Sequence, residues 1–256
     1  MQSVAFVSLV NKPEQFAASQ ASLRTQVQPL PPWVMVEPNA RGWNAAQGLN
    51  WGIDQVDAEW VVCVHQDVFY PQGWWPRFLA ELQRVPDDTA ILGLVGTEKG
   101  GRLRGHIIDP NGHCYWPALP HEVLVVDELL LAVRKRTGLR FDPGTPGFHC
   151  YGADICLQAA ARGLRSFAID APTLHVSTGV VDGAYELASR WLLAKWGDQY
   201  GHVLPTPTMV LQDDAKAGFF LKLKHRWVRR QDRLSRNRDC PDPRCERAAR
   251  ASKGGP

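Results

Sequence analysis

Three short stretches of this chain carry side chains that could do chemistry. The first is His65-Gln66-Asp67, which interrupts an otherwise apolar run. An imidazole and a carboxylate two positions apart can ligate a hard or borderline divalent cation, or meet a charged ligand. The second is "FHCYGADICL" (148 to 157), in which Asp154 stands at the start of a helical pattern, where the helix field favours a carboxylate. The third is "APTLHVSTG" (171 to 179), where His175 follows a strand-like segment. Each has a plain alternative. Asp67 could cap a turn before Pro71, Asp154 could be a helix cap, and His175 could be a surface histidine. His149, Cys150 and Cys156 fit no standard zinc spacing and read as packing residues.

These residues need elements to position them. "SVAFVSLV" (3 to 10) has strand composition, residues 13 to 25 read as a helix, and Trp33 to Glu37 follow the "PLPP" break as a second strand. Ala45, Leu49, Ile53 and Val56 recur at helical spacing behind Asn44, a good N-cap, so a helix is expected over 44 to 56. Trp60 to Val64 then form a buried strand that ends on His65. This β-α-β-α-β order predicts an α/β fold with parallel strands covered by helices. In such sheets ligands bind beyond the C-terminal strand ends, where His65 and Asp67 lie. Further strands are expected at Ile91 to Val95, Val123 to Val126, Leu129 to Val133 and Ser166 to Asp170, and helices at Asp154 to Arg162 and 183 to 200. The apolar run from Val123 to Val133 is interrupted by Asp127 and Glu128.

Composition narrows the classes. No apolar run approaches the ~18 residues of a membrane span. No secretory signal is recognisable, and six cysteines without a C-x-x-C pair read as reduced thiols, so a cytoplasmic location is expected. The net charge of +3 is unevenly spread: 216 to 256 hold 13 Lys/Arg against 4 Asp/Glu, whereas the rest is acidic. The expected division is a domain over 1 to 212, a basic helical segment over 213 to 236 and a disordered tail over 237 to 256. The tail accompanies no nucleic-acid motif, so no nucleic-acid partner is expected; a peripheral contact with an anionic membrane at its inner face suits it better.

The order of motifs resembles a known family. "NWGIDQVDAEWVVCVHQDV" resembles the segment of inverting family-2 glycosyltransferases that leads from an Asn-x-Gly-Ile helix into the D-x-D strand, with Asn50 on the Asn and Asp67 on the last Asp. "YGADICLQAAARGLR" is similar to the family's Glu-Asp segment and its helix, and the "HQDV" spelling is most like the subgroup containing the streptomycin-biosynthesis-type domain. The likeness spans residues 3 to 180. It implies a GT-A fold, with a Rossmann-like nucleotide half fused to an acceptor half. It also implies a nucleotide-sugar donor, UDP-sugar favoured, a sugar or lipid-linked glycan acceptor, and Mn²⁺ or Mg²⁺. Carried over by position, Asp67 and His175 would hold the metal. Ser8, Glu37, Asn39, Asn50, His65 and Asp67 would line the nucleotide-sugar site, and Asp154 would be the catalytic base. Trp74, Trp116 and Tyr151 are aromatic candidates for an acceptor sugar, with core packing as their alternative. Three positions depart from the pattern: the triplet has His65 for its first carboxylate, Ala153 replaces the Glu before the base, and Leu187 stands where the Q-x-x-R-W of processive synthases needs Gln ahead of Arg190-Trp191. A single-addition transferase is therefore expected. The alternatives are a nucleotide-sugar-binding protein without catalysis and a membrane-surface adaptor.

Overall fold

The computed structural model describes residues 2–110, 112–177, 182–213, 215–218 and Val228. In chain order its elements are β1 (Val4–Leu9), α1 (Pro13–Arg24), β2 (Trp33–Val36), α2 (Pro38–Arg41), α3 (Ala45–Asp54), β3 (Trp60–Val64), β4 (Val68–Phe69), α4 (Trp74–Arg84), β5 (Thr89–Gly93), β6 (Val95–Thr97), β7 (Leu103–Asp109), β8 (Gly112–Trp116), β9 (His121–Val123), β10 (Val125–Val126), β11 (Leu130–Arg134), α5 (Tyr151–Ala161), β12 (Arg165–Ala168), β13 (Leu174–His175), α6 (Gly183–Tyr200), β14 (Val203–Pro205) and β15 (Val210–Gln212).

The central sheet has the order β2-β1-β3-β11-β5-β12-β9. β2, β1 and β3 are parallel, and β11 is inserted antiparallel between β3 and β5. Both faces of this sheet are covered, so its strands are continuous apolar runs rather than alternating ones. β1 shows how the two faces share it: Ala5 and Val7 join the core beneath α3, α5 and α6, while Val4 and Phe6 join the core that holds α4 through Trp74, Phe78 and Leu82. α3 starts at a complete capping box, in which the Asn44 side chain accepts from the Gln47 N–H at 2.9 Å and the Asn44 N–H donates to the Gln47 side chain at 3.0 Å. It lies so close on β1 that a Cβ at Gly52 would stand 2.3 Å from Val7 Cγ1, which only glycine avoids.

A second sheet has the order β10-β6-β7-β13-β4, with β8 paired to β7. Two expected single strands are divided between the sheets. Ile91 to Val95 becomes β5 in the first and β6 in the second, and Val123 to Val126 becomes β9 and β10. α5 begins at Tyr151, so Asp154 lies inside its first turn. α4, the β7–β8 hairpin and the β14–β15 pair had no counterpart in the sequence reading. The expected basic helix opens as a turn, with the Lys216 and Ala217 N–H groups on Asp213 O. Apart from 215–218 and Val228, that helix and the tail lie outside the described residues. No helix among the described residues is long and apolar enough to cross a membrane.

Candidate active site

β3 stops at Val64 because the next three residues form the turn into β4. The middle one, Gln66, pins that turn to the end of β1. Its Oε1 accepts from the Asn11 and Lys12 N–H groups, both at 2.9 Å, and its amide nitrogen donates to Asn11 Oδ1 at 2.5 Å. With Gln66 facing that loop, His65 and Asp67 face the other way. His175 reaches them from β13, which pairs antiparallel with β4 and sets His175 against Val68. The ligand atoms of His65, Asp67 and His175 all lie within 4.8 Å of one another, the one such cluster among the described residues. Asp67 Oδ1 is 3.4 Å from His175 Nε2, and Ser177 Oγ is 3.0 Å from the same nitrogen.

The protonation states suit a cation. Burial pushes the Asp67 carboxyl up, but the hydrogen bond and charge of His175, helped by Ser177 and His65, outweigh it and bring it down to about 2. Burial, and then His175, hold His65 below the ordinary imidazole range, against the pull of Asp67 and Asp127. The site therefore offers an ionised carboxylate and a neutral imidazole, the forms that bind metal. A carboxylate oxygen with two imidazole nitrogens suits a divalent ion such as Mn²⁺ better than thiolates would.

Tyr151 adjoins this triad, and Glu128 lies at the same end of the sheet. Tyr151 is buried, with its hydroxyl 3.4 Å from His65 Nε2. In the sequence Glu128 is only an interruption of an apolar run. It lies just before β11, and its Oε1 accepts from the Gly152 N–H at 3.1 Å. Burial, and then Asp127, push it up to about 8, against the backbone donors Gly152 and Cys150. Its signal in sequence was the placing of two carboxylates inside an apolar run next to a strand.

Other expected site residues fall elsewhere. Ser8 is fully buried and accepts from Trp33 Nε1 at 3.0 Å, so its hydroxyl faces an indole rather than a nucleotide. Asn50 clamps the backbone of Phe141, donating to its carbonyl at 2.8 Å and accepting from its N–H at 2.9 Å. Glu37 and Asn39 are exposed just past β2, at the same end of the parallel strands as the triad. Trp74 is set into the core, stacked on Phe78 with its indole N–H on Ala171 O at 2.9 Å, and Trp116 is buried beside Val95 and Cys114. Neither presents a ring face to a sugar. Asp154 is 0% exposed. It accepts from Trp196 Nε1 at 2.7 Å and Gln158 Nε2 at 2.8 Å, and pairs with Lys195 Nζ at 2.8 Å. It faces Lys195 and Trp196 of α6 rather than the triad.

The mixed central sheet with helices on both faces is the architecture of a GT-A glycosyltransferase. The chain belongs to glycosyl transferase family 2, whose pattern it matches over residues 18–149. Among solved structures it is similar to the mannosyltransferase PcManGT from Pyrobaculum calidifontis in complex with GDP-Man and Mn²⁺, at 13% identity and a TM-score of 0.50 over 100% of this chain and 76% of that one. It is also similar to GalNAc-T7 with UDP, GalNAc and Mn²⁺, at 9% identity and a TM-score of 0.57 over 79% of this chain and 49% of that one. These likenesses concern the fold. A protein from Fuscovulum blasticum called "ATP synthase subunits region ORF 6" is 38% identical over 78 residues, 30% of this chain and 31% of the relative, so the chain spans about a third of that relative's length.

Proposed function

We propose that this chain transfers a sugar from a nucleotide-diphosphate donor, with a UDP-sugar as the first choice, to a hydroxyl acceptor, inverting the anomeric centre and adding one sugar at a time. The observation that carries the reading is the convergence of His65, Asp67 and His175 at the C-terminal end of β3 in a family-2 chain. Those three residues would hold a divalent cation, Mn²⁺ or Mg²⁺, and the ion would neutralise charge on the leaving nucleoside diphosphate. The solved relatives with GDP-Man or UDP and Mn²⁺ support a donor of this class. Within the chain, Gln66 fixes the turn, Ser177 and Tyr151 contact the two imidazoles, and Glu37 and Asn39 lie where the strand ends open towards a nucleotide. The "HQDV" spelling supports the streptomycin-biosynthesis-type subgroup, and Leu187 in place of Gln supports single addition. A lipid-linked glycan met at the cytoplasmic face of a membrane, through the basic segment, fits the charge distribution as acceptor.

Calorimetry of UDP and GDP binding with and without Mn²⁺ tests the donor site. Metal-linked binding in the wild type that disappears in Asp67→Ala is the expected result, and binding of neither nucleotide by the wild type would sink the reading. One observation favours a second reading, donor binding without catalysis: Asp154 is engaged by Lys195 and Trp196. Mn²⁺-dependent hydrolysis of a nucleotide sugar separates the two, since a binding relic shows none.

A further inference from the structure

Glu128 stands at the same sheet end as the His65–Asp67 turn. β3 and β11 pair Val64 with Leu130, and the ladder continues through the His65 N–H to Leu129 O bond of 3.1 Å. Past that bond both segments leave the ladder in turns, one through Gln66 and the other through Glu128. Its carboxylate lies across the entry to α5, held by the Gly152 N–H at 3.1 Å and by the Cys150 N–H. That entry is shaped around it. Cys150 takes φ 63°, the left-handed region that a non-glycine residue rarely adopts. A Cβ at Gly152 would stand 2.9 Å from Glu128 Cγ. Between those two residues, Tyr151 extends its hydroxyl to His65.

The bland account is that Glu128 merely caps α5. A capping carboxylate gains from being ionised by the N–H groups it accepts from and by the helix field. Here burial and Asp127 win instead and push the group up to about 8. Such a group both holds and releases a proton near neutrality, as a general base must. The titratable groups that feel its charge are Asp127 on its own turn, Cys150, Tyr151 and Cys156 around α5, and Tyr185 on α6. Asp154, the other carboxylate of the α5 first turn, is sealed by Lys195, Trp196 and Gln158.

We propose that Glu128, rather than Asp154, is the catalytic residue that takes the proton of the acceptor hydroxyl. The assignment rests on the glycosyltransferase reading above. In the step, the hydroxyl oxygen bonds to the anomeric carbon and the bond from that carbon to the diphosphate oxygen breaks. The electron pair leaves with the nucleoside diphosphate, and the hydroxyl proton passes to the Glu128 carboxylate. Water in place of the acceptor follows the same proton path and gives donor hydrolysis.

The test uses the full chain with UDP-GlcNAc and GDP-mannose in Mn²⁺, following donor hydrolysis against pH, with calorimetry of UDP and GDP alongside. Glu128→Gln keeps an acceptor for the Gly152 N–H, so its melting temperature and nucleotide affinity should stay close to wild type. Its hydrolysis should fall by about 100-fold or more. The wild-type rate should rise with pH to a plateau through about 8, and that limb should vanish in the variant. Formate should restore part of the activity of Glu128→Ala, which a purely structural role would not allow. A Glu128→Gln rate within threefold of wild type, a retained alkaline limb, or a loss confined to Asp154→Asn would overturn the assignment. So would loss of nucleotide affinity in Glu128→Gln, which would make Glu128 a binding residue. A wild type that binds nucleotide yet hydrolyses neither donor removes the base and leaves the binding site standing. A wild type that binds neither nucleotide removes the glycosyltransferase reading itself.

Discussion

The β7–β8 hairpin carries a second histidine–aspartate group, and it is wired differently from the one at the end of β3. His106 is fully buried, with Nδ1 on Asp170 Oδ1 at 2.6 Å and Nε2 on His113 Nε2 at 2.7 Å. Arg77 pairs with the other Asp170 oxygen at 2.6 Å, and the Asp170 N–H donates to Glu81 at 3.1 Å. Both ring nitrogens of His106 are thereby committed at full hydrogen-bond strength. At the end of β3 the contacts of the candidate ligands are longer, 3.4 Å from Asp67 to His175 and 3.4 Å from Tyr151 to His65, while Ser177 holds His175 Nε2 at 3.0 Å. The same residue types hold a hairpin together where they are saturated, and leave donors for an ion where they are spaced apart. Saturation, more than residue type, separates a structural cluster from a candidate site.

The largest effect expected from breaking this contrast is on binding. Replacing residues that merely support metal ligands costs about 10–100-fold in affinity, so Asp67→Ala should weaken Mn²⁺-linked UDP or GDP binding by at least about 100-fold while the melting temperature changes little. Titration calorimetry and thermal melting together read this. His106→Ala should do the reverse. It removes the partner of one Asp170 oxygen and of His113 Nε2, at a cost of about 2 kcal/mol, and should lower the melting temperature by roughly 4–8 °C without touching nucleotide affinity. If the two phenotypes are exchanged, the contrast fails. Asp154→Asn is expected to cost about 1–2 kcal/mol. Lys195 retains its pair with Asp142 at 2.6 Å, which limits the loss.

A subtler effect sharpens the comparison by pH. Burial raises the Asp170 carboxyl, but the hydrogen bonds from His106 and Arg77 outweigh it and hold it below its ordinary 3.8. Its contribution to stability is therefore present above that value and lost as the pH falls through its lower folded value. The melting-temperature gap between wild type and Asp170→Asn should narrow on acidification below about pH 4. The smallest effect is reserved for the exposed Glu186–Arg190 pair on α6, 3.0 Å apart, where Arg190→Ala should shift stability by less than about 1 kcal/mol.

Much of the scaffold was legible because its causes are local. The runs of β1 and β3, the Asn44 cap and the Pro13 start each write an element into a few neighbouring residues. His65 and Asp67 were legible as the polar stop of a buried strand, and His175 as a histidine just past another strand-like segment. What stayed hidden depends on distant partners. Nothing around Asp154 announces Lys195 and Trp196, some forty positions away. Asn50 reads as a site residue until Phe141 arrives to occupy its amide. Glu128 becomes visible only when β11 is known to run antiparallel to β3, which brings its first residues, and not its last, to the open end of the sheet.

That reversed strand also sets a timetable. The turn at His65 and Asp67 is made early in the chain, but Glu128 comes some sixty positions later and His175 more than a hundred. Closing loops of that length carries an entropic cost that must be met before the contacts return anything, so such pairings form slowly. A nascent chain that has emerged only as far as β8 holds β1, β2 and β3 but neither Glu128 nor His175. The candidate site is thus assembled late, after β11 has inserted and β13 has closed on β4, so an unfinished chain cannot carry out the proposed transfer.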